Sequence, residues 1–207
     1  MKRPSTTVIL TAVTSFVSLM IMAAGLDGQA AGAMGLVPAR LSGQLDLVGA
    51  VPAWLTPFSC TLVHGGILHL FFNMLMLVWC GTAVERLLGT PGMLTIYGVS
   101  AIVSALAQWM SAPLELSPVI GASGAVSGLI GAYALSFGRP RMLVQSPRFN
   151  RFLHVVWLAA AWAVLQLAVG FVAGAEGLLL ATPAHIGGFV AGLLLQRPLL
   201  LWRYRGA

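Results

Sequence analysis

The polar side chains able to do chemistry in this chain are few and fall in three short stretches. Residues 64–73 read His-Gly-Gly-Ile-Leu-His-Leu-Phe-Phe-Asn, residues 121–128 read Gly-Ala-Ser-Gly-Ala-Val-Ser-Gly, and residues 184–188 read Ala-His-Ile-Gly-Gly. A serine with a histidine base in reach is a nucleophile for acyl transfer. Imidazole and amide N–H groups from a third segment could bind the oxyanion that such an attack creates. Two serines compete within residues 121–128. Ser123 falls in the first turn of an apolar run, where backbone N–H groups are unpaired and the helix dipole favours negative charge. Ser127 lies one turn deeper and is expected to bond a carbonyl of its own helix. His69 and Asn73, four apart, share one helix face. His154 stands far from these groups in sequence and is assigned no function.

These residues must be positioned inside a bilayer. The chain has 207 residues, 58% hydrophobic and 8% charged, with a mean hydropathy of +0.92. A soluble domain carries about a quarter charged residues, so this composition cannot cover a water-facing surface. The net charge of +6 forms no basic-aromatic patch, and no nucleic-acid partner is expected. Cys60 and Cys80 lack CxxC spacing and are read as buried packing residues. Six apolar runs, at about 7–24, 65–84, 92–112, 122–138, 152–173 and 183–201, predict an all-α membrane protein in one domain, residues 1–207. A span needs about 20 residues, and backbone groups in hydrocarbon must be satisfied within the helix. The first run exceeds the ~7–15 apolar residues of a secretory signal and is read as a retained helix. Pro91-Gly92, Pro113, Pro118, Pro140, Pro147 and Pro183 fall at the expected boundaries. The long connection after the first run, with Trp54 and Phe58, is expected to rest at the membrane interface.

Six spans place both termini on one side. Lys2, Arg3, Arg86, Arg139, Arg141, Arg148, Arg151, Arg197, Arg203 and Arg205 then share that side, ten of eleven basic residues, with Arg40 alone opposite. Asp27, Asp46, Glu115 and Glu176 join Arg40. The positive-inside rule puts both termini in the cytoplasm. The second, fourth and sixth helices then run inward, so His64, His69, Asn73, Ser123 and His185 all fall in the outer half of the bilayer. Intramembrane polar groups usually face a bundle interior or a water-filled cavity, and three helices contributing at one depth imply one site. Gly124, Gly128 and Gly131 form a small-residue stripe on the fourth helix, and Gly188 and Gly192, with Gly187 beside them, form one on the sixth. If the stripes meet, Ser123 and His185 come together, with no acid at that depth to complete a triad.

Taken together, the Gly121-Ala-Ser123-Gly124 motif, the His64/His69/Asn73 motif and Ala184-His185-Ile-Gly187-Gly188 resemble the rhomboid family of intramembrane serine proteases. The resemblance runs from the first helix through the sixth and implies a six-transmembrane-helix rhomboid-like bundle. It implies a Ser123 nucleophile, His185 as general base and then acid, and an oxyanion hole from His69, Asn73 and the Ser123 backbone N–H. His64, Gly121, Gly124 and Gly188 would support the site. It implies single-span membrane proteins as substrates, cut within or beside the membrane, and no metal or organic cofactor. A bacterial inner (plasma) membrane location follows as an expectation. The stretch Gly81–Arg86 resembles the family's second-helix end, where the glutamate, here Glu85, has a structural role.

Two positions depart from the family pattern. Many members carry an aromatic residue four positions after the serine, packed on the catalytic histidine; here that position is Ser127, so another side chain must orient His185. Trp54-Leu55 stands where many members have Trp-Arg. Two other functions compete with this reading. A metal or proton transporter using His64, His69 and His185 is disfavoured, because positions five apart face different ways on a helix. A catalytically inactive relative that binds membrane clients is the alternative, and such proteins typically lack the serine or histidine retained here.

Overall fold

The computed structural model describes residues 5–138, 142, 144–175 and 180–206. Lys2, Arg3, Arg139, Pro140, Arg141 and Glu176, to which the sequence assigns a membrane side or a boundary, lie outside the described residues. The helices are α1 (Thr6–Ala23), α2 (Asp27–Met34), α3 (Pro38–Leu41), α4 (Thr56–Ser59), α5 (Ile67–Met76), α6 (Thr82–Ser111), α7 (Ser123–Phe137), α8 (Pro147–Ala175) and α9 (Thr182–Arg203). Apart from one antiparallel bridge, Leu36 to Val119, the described secondary structure is helical. Thr6–Ala23, Ile67–Ser111, Pro147–Ala168 and Thr182–Arg203 are long and apolar enough to cross a membrane, and Ser123–Phe137 is a shorter apolar helix.

The packing is inside-out relative to a soluble protein. On α1 the buried residues are Thr7, Thr14 and Ser18, while Phe16 is 66% exposed. On α8, Trp157 and Phe171 also point outward. An aliphatic surface gains nothing by leaving lipid, so the bundle interior collects the small and polar residues that let helices approach and bond. The core runs through Leu77, Val84, Met93, Ile96, Val126 and Leu129, with α7 at its centre. Cys60 and Cys80 are buried free thiols.

The helix stripes meet at backbone contact. A Cβ added at Gly188 would collide with the carbonyl oxygen of Gly124, and one at Gly192 with that of Gly128. Gly131 faces the Phe189 carbonyl in the same way. Ser104 of α6 closes the triangle, its Oγ lying 2.6 Å from such an atom on either Gly124 or Gly188. Three helices therefore cross where only glycine and serine fit.

The run from Ile67 to Ser111 holds 45 residues, more than twice the ~20 that one crossing needs. It turns at Gly89, whose φ of 76° and ψ of 169° interrupt the helix. The sequence predicts this boundary at Pro91-Gly92. The break lies just before, because glycine reaches positive φ at no steric cost, while Pro91 is tolerated in the first turn that follows. Arg203 packs on the bend, in contact with Gly89, and the Tyr204 hydroxyl donates to Leu87 O at 3.2 Å. A π turn at Leu77–Gly81 joins α5 to α6, and there Gly81 packs against the Thr7 side chain of α1.

Glu85 ties the start of α1 to this bend. The N–H groups of Thr6 and Thr7 donate to its carboxylate at 2.9 Å each. The hydroxyls of Thr7 and Thr90 donate at 2.6 and 2.8 Å. The carboxylate thus occupies the positive end of the α1 dipole and satisfies N–H groups that no turn of helix can. Hydrogen bonds to a charged group are worth ~1.5–3 kcal/mol, so Glu85→Ala is expected to destabilise the protein by about 2 kcal/mol. Thermal unfolding in detergent reads this directly, and an unchanged midpoint would refute the capping role.

The long connection, expected from the sequence to rest at the membrane interface, contains α2, α3 and α4 and works as a strut. Leu36 and Val119 exchange N–H···O bonds of 2.9 and 2.8 Å, and Gly121 N–H donates to Cys60 O at 2.9 Å. Arg40, the basic residue set apart by charge placement, is buried and donates through Nη2 to Val51 O at 2.7 Å. Trp54 is 70% exposed, as an interfacial anchor would be. The connection fixes the segment that enters α7.

Candidate active site

Helix α7 opens at Ser123, preceded by Gly121 at φ 109°. That φ is left-handed, and a side chain at Gly121 would also strike the His69 ring, at 2.7 Å from Cε1 and 2.8 Å from Nε2. Glycine is required here twice over, by backbone conformation and by space. Ser123 itself is half-buried and in the first turn, where backbone N–H groups lack helical partners.

His185 enters from the first turn of α9, where Pro183 supplies a favourable early-helix φ. Its Nε2 is 2.8 Å from Ser123 Oγ. On the other side of the ring, Nδ1 is 2.8 Å from Oε1 of Gln166, on α8. Trp162, one turn before Gln166, donates from Nε1 to the His185 carbonyl at 3.2 Å and stacks on Phe189 at 4.8 Å. His185 and Gln166 are both buried.

On α5, the Gly65 N–H donates to His69 Nδ1 at 3.2 Å, so the neutral ring carries its proton on Nε2. That N–H stands over Gly121, beside Ser123. Asn73, buried on the same face, spends one side-chain N–H on the His69 carbonyl at 2.9 Å, and its amide retains a second. His64 faces the entry to α7 rather than the serine. Its Nε2 accepts from the Ala122 N–H at 3.3 Å, so Nδ1 is protonated and donates to Ser18 Oγ at 2.8 Å. The Ser18 hydroxyl passes on to Leu62 O at 2.8 Å. His64 therefore ties α1 to the start of α7.

The structure thus brings Ser123, His185, His69, Asn73 and Gly121 into one cluster, with His64 one residue removed and Gly124 and Gly188 in the helix crossing beneath. Ser127 stays outside the chemistry: its hydroxyl donates to Ser123 O at 2.7 Å. Gln166 and Trp162 were not singled out from sequence. Beside the serine, a cavity of about 240 Å³ runs between α5, α7 and α8, touching Phe72, Met76, Ser127, Trp162 and Gln166. A second, smaller cavity of about 20 Å³ touches Ser123, Gly121 and Ser104, room for one water. Among the described residues no three His, Cys, Asp or Glu side chains are grouped so as to hold a metal ion.

A serine hydroxyl on a histidine nitrogen, at the mouth of a membrane-length helix bundle, defines the class: a polytopic membrane protein with a serine-hydrolase-like pair. Residues 51–202 match the Rhomboid domain family, and the chain belongs to the rhomboid family. It is 34% identical to RHOMBOID-like protein 4 of Arabidopsis thaliana over 148 residues, 72% of this chain and 34% of that one. It is 34% identical to the rhomboid protease GlpG of Pectobacterium atrosepticum over 140 residues, 67% of this chain and 46% of that one. The rhomboid protease GluP of Bacillus subtilis matches at 32% over 140 residues, 67% of this chain and 25% of that one. The chain thus spans less than half the length of these relatives. It is an integral membrane rhomboid related to rhomboid proteases.

Proposed function

We propose that this chain is an intramembrane serine endopeptidase. The observation that carries the proposal is the 2.8 Å contact between His185 Nε2 and Ser123 Oγ at the free N-terminus of α7. Ser123 Oγ attacks a peptide carbonyl as His185 Nε2 takes its proton, and His185 then returns that proton to the leaving amine. Water hydrolyses the acyl-enzyme by the same route in reverse. The negative charge that develops on the carbonyl oxygen meets the Ser123 N–H, the His69 Nε2–H and the free N–H of Asn73. Gly121 lets the His69 ring come close to the serine, and Gly124 admits Ser104 of α6 and Gly188 of α9 rather than substrate.

The substrates are membrane-spanning or juxtamembrane segments of other membrane proteins, because the pair lies within apolar walls that a soluble chain does not enter. Six spans result if the Ile67–Ser111 run is counted as two crossings about Gly89 and α7 as one. Both termini are then cytoplasmic. Support comes from the described basic residues. Arg203 packs at the Gly89 bend, and Arg148, Arg151 and Arg197 border one cavity near the end of α9. Glu85, bonded to the start of α1, belongs to the same end of the bundle. A bacterial plasma membrane is the proposed location.

The test is cleavage of a single-span reporter by the purified protein in liposomes, with a fluorophosphonate probe for the reactive serine. Wild type should cleave and label at Ser123, and Ser123→Ala should do neither. Reporter binding without cleavage by wild type, or equal cleavage by both, would replace the peptidase proposal with a client-binding role.

A further inference from the structure

We infer that Gln166 is a positioning residue for His185, doing with a neutral amide what an acid does in a triad; this rests on the peptidase proposal above. The hydrogen bond between Gln166 Oε1 and His185 Nδ1 has one consistent sense. A carbonyl oxygen only accepts, so Nδ1 carries the proton. The neutral ring then has its lone pair on Nε2, where Ser123 Oγ sits at 2.8 Å. The other tautomer would place an N–H against the serine and leave the pair without a base. Gln166 therefore selects the base-competent tautomer and fixes the plane of the ring. When His185 takes the serine's proton, the same bond holds Nδ1–H while charge develops on the ring.

The position of Gln166 explains why it is needed. The family pattern supports the histidine from the serine's own helix, by an aromatic residue at the place held here by Ser127. Ser127 is small and its hydroxyl is turned to Ser123 O, so α7 offers His185 no support. The support comes instead from α8: Gln166 at the imidazole and, one turn earlier, Trp162 at the His185 carbonyl. An amide has no business in an apolar span unless it bonds inside the bundle, and this one is buried with its oxygen on the histidine. No described carboxylate pairs with His185. The titratable group acting on it is His69 of α5; α6 presents Val103 and Ala107 to the next turn of α9, and α7 presents Ser123.

Two variants separate positioning from packing. Gln166→Met keeps length and loses the acceptor; Gln166→Glu keeps the acceptor and adds charge. Gln166→Met should lower kcat by on the order of 10²-fold, the scale of lost acid–base efficiency, with KM within about twofold of wild type. Gln166→Glu should keep kcat within about tenfold. A carboxylate against the ring favours imidazolium over the neutral ring. The neutral base is then lost at a higher pH on acidification, so the acid limb of kcat/KM moves up by ~1 unit or more. A packing role predicts equal losses in both variants and no movement of that limb. Either result, or wild-type kcat in Gln166→Met, overturns the inference. Nitrogen-15 spectra of labelled His185 give an arm independent of turnover. Wild type should show Nδ1 protonated and Nε2 bare, and Gln166→Met a mixture; an Nε2-protonated wild type refutes Gln166 even if Ser123-dependent cleavage is found. Absence of cleavage with the expected spectrum would instead sink the peptidase proposal alone.

Discussion

His185→Ala is expected to abolish reporter cleavage as fully as Ser123→Ala, and the double variant is expected to lose nothing more. A serine hydroxyl inside a membrane is a poor nucleophile; it becomes competent only as its proton leaves along the 2.8 Å path to His185 Nε2. Without the imidazole there is also no acid for the departing amine. Groups that act as one unit are grossly non-additive, and removing either member of such a pair costs on the order of 10⁴–10⁶ in kcat. The oxyanion donors survive in all three variants, so a common small residue of activity is expected. Single-turnover cleavage in liposomes provides the numbers, and probe labelling of Ser123 should fall in parallel in His185→Ala. His154→Ala is the matched control. His154 packs beside Gly138, at the end of α7 remote from Ser123, and its loss should leave cleavage unchanged. If His185→Ala stays within tenfold of wild type, or if the double variant drops by the product of the two single losses, the two residues do not act as base and nucleophile.

The cluster itself was readable from residue types because each motif carries its local reason. Ser123 opens a helix, His69 and Asn73 repeat at one turn, and His185 follows a proline that starts α9. Glycine stripes on two helices supplied the geometry that joins them, and they touch through Gly124 and Gly188 as that pattern requires. What escaped is whatever depends on how a helix is rotated about its axis. Gln166 sits in the apolar run Val-Leu-Gln-Leu-Ala-Val, and a lone amide there signals an inward face. Nothing in the run says that the face meets His185. The π turn at Leu77–Gly81 was equally hidden. It contains no proline, and it lies where Gly81 meets Thr7 of α1, a long-range contact. The short helices of the strut between α1 and α5 carry little apolar periodicity, so the sequence shows the connection but not its elements.

The same glycine contacts set the second large effect: Gly192→Ala is expected to cost both stability and activity, although it adds one methyl group far from Ser123. The new Cβ would overlap the Gly128 carbonyl oxygen and approach its C and Cα at 2.6 and 2.8 Å. Backbone atoms cannot rotate out of the way as a side-chain tip can, so α7 and α9 must separate. Overpacking costs ~1–3 kcal/mol, occasionally more, and a backbone-to-backbone clash in a glycine crossing belongs at the upper end, about 3 kcal/mol. Helix propensity works the other way, favouring alanine by up to about 1 kcal/mol, and is outweighed. Separation at Gly192 is transmitted along two stiff helices to their N-terminal ends, where Ser123 and His185 meet. A misplacement of ~1 Å can cost about 10²-fold in rate, so cleavage should fall at least tenfold while Ser123 and His185 are both still present. Gly32→Ala tests the same chemical change without the clash. Gly32 lies in α2 with open space where the Cβ would go, and that variant should match or slightly exceed wild type in stability. Thermal unfolding in detergent and reporter cleavage in liposomes decide it together. A Gly192→Ala protein with the wild-type midpoint and rate would mean that the α7–α9 crossing does not hold the pair in register.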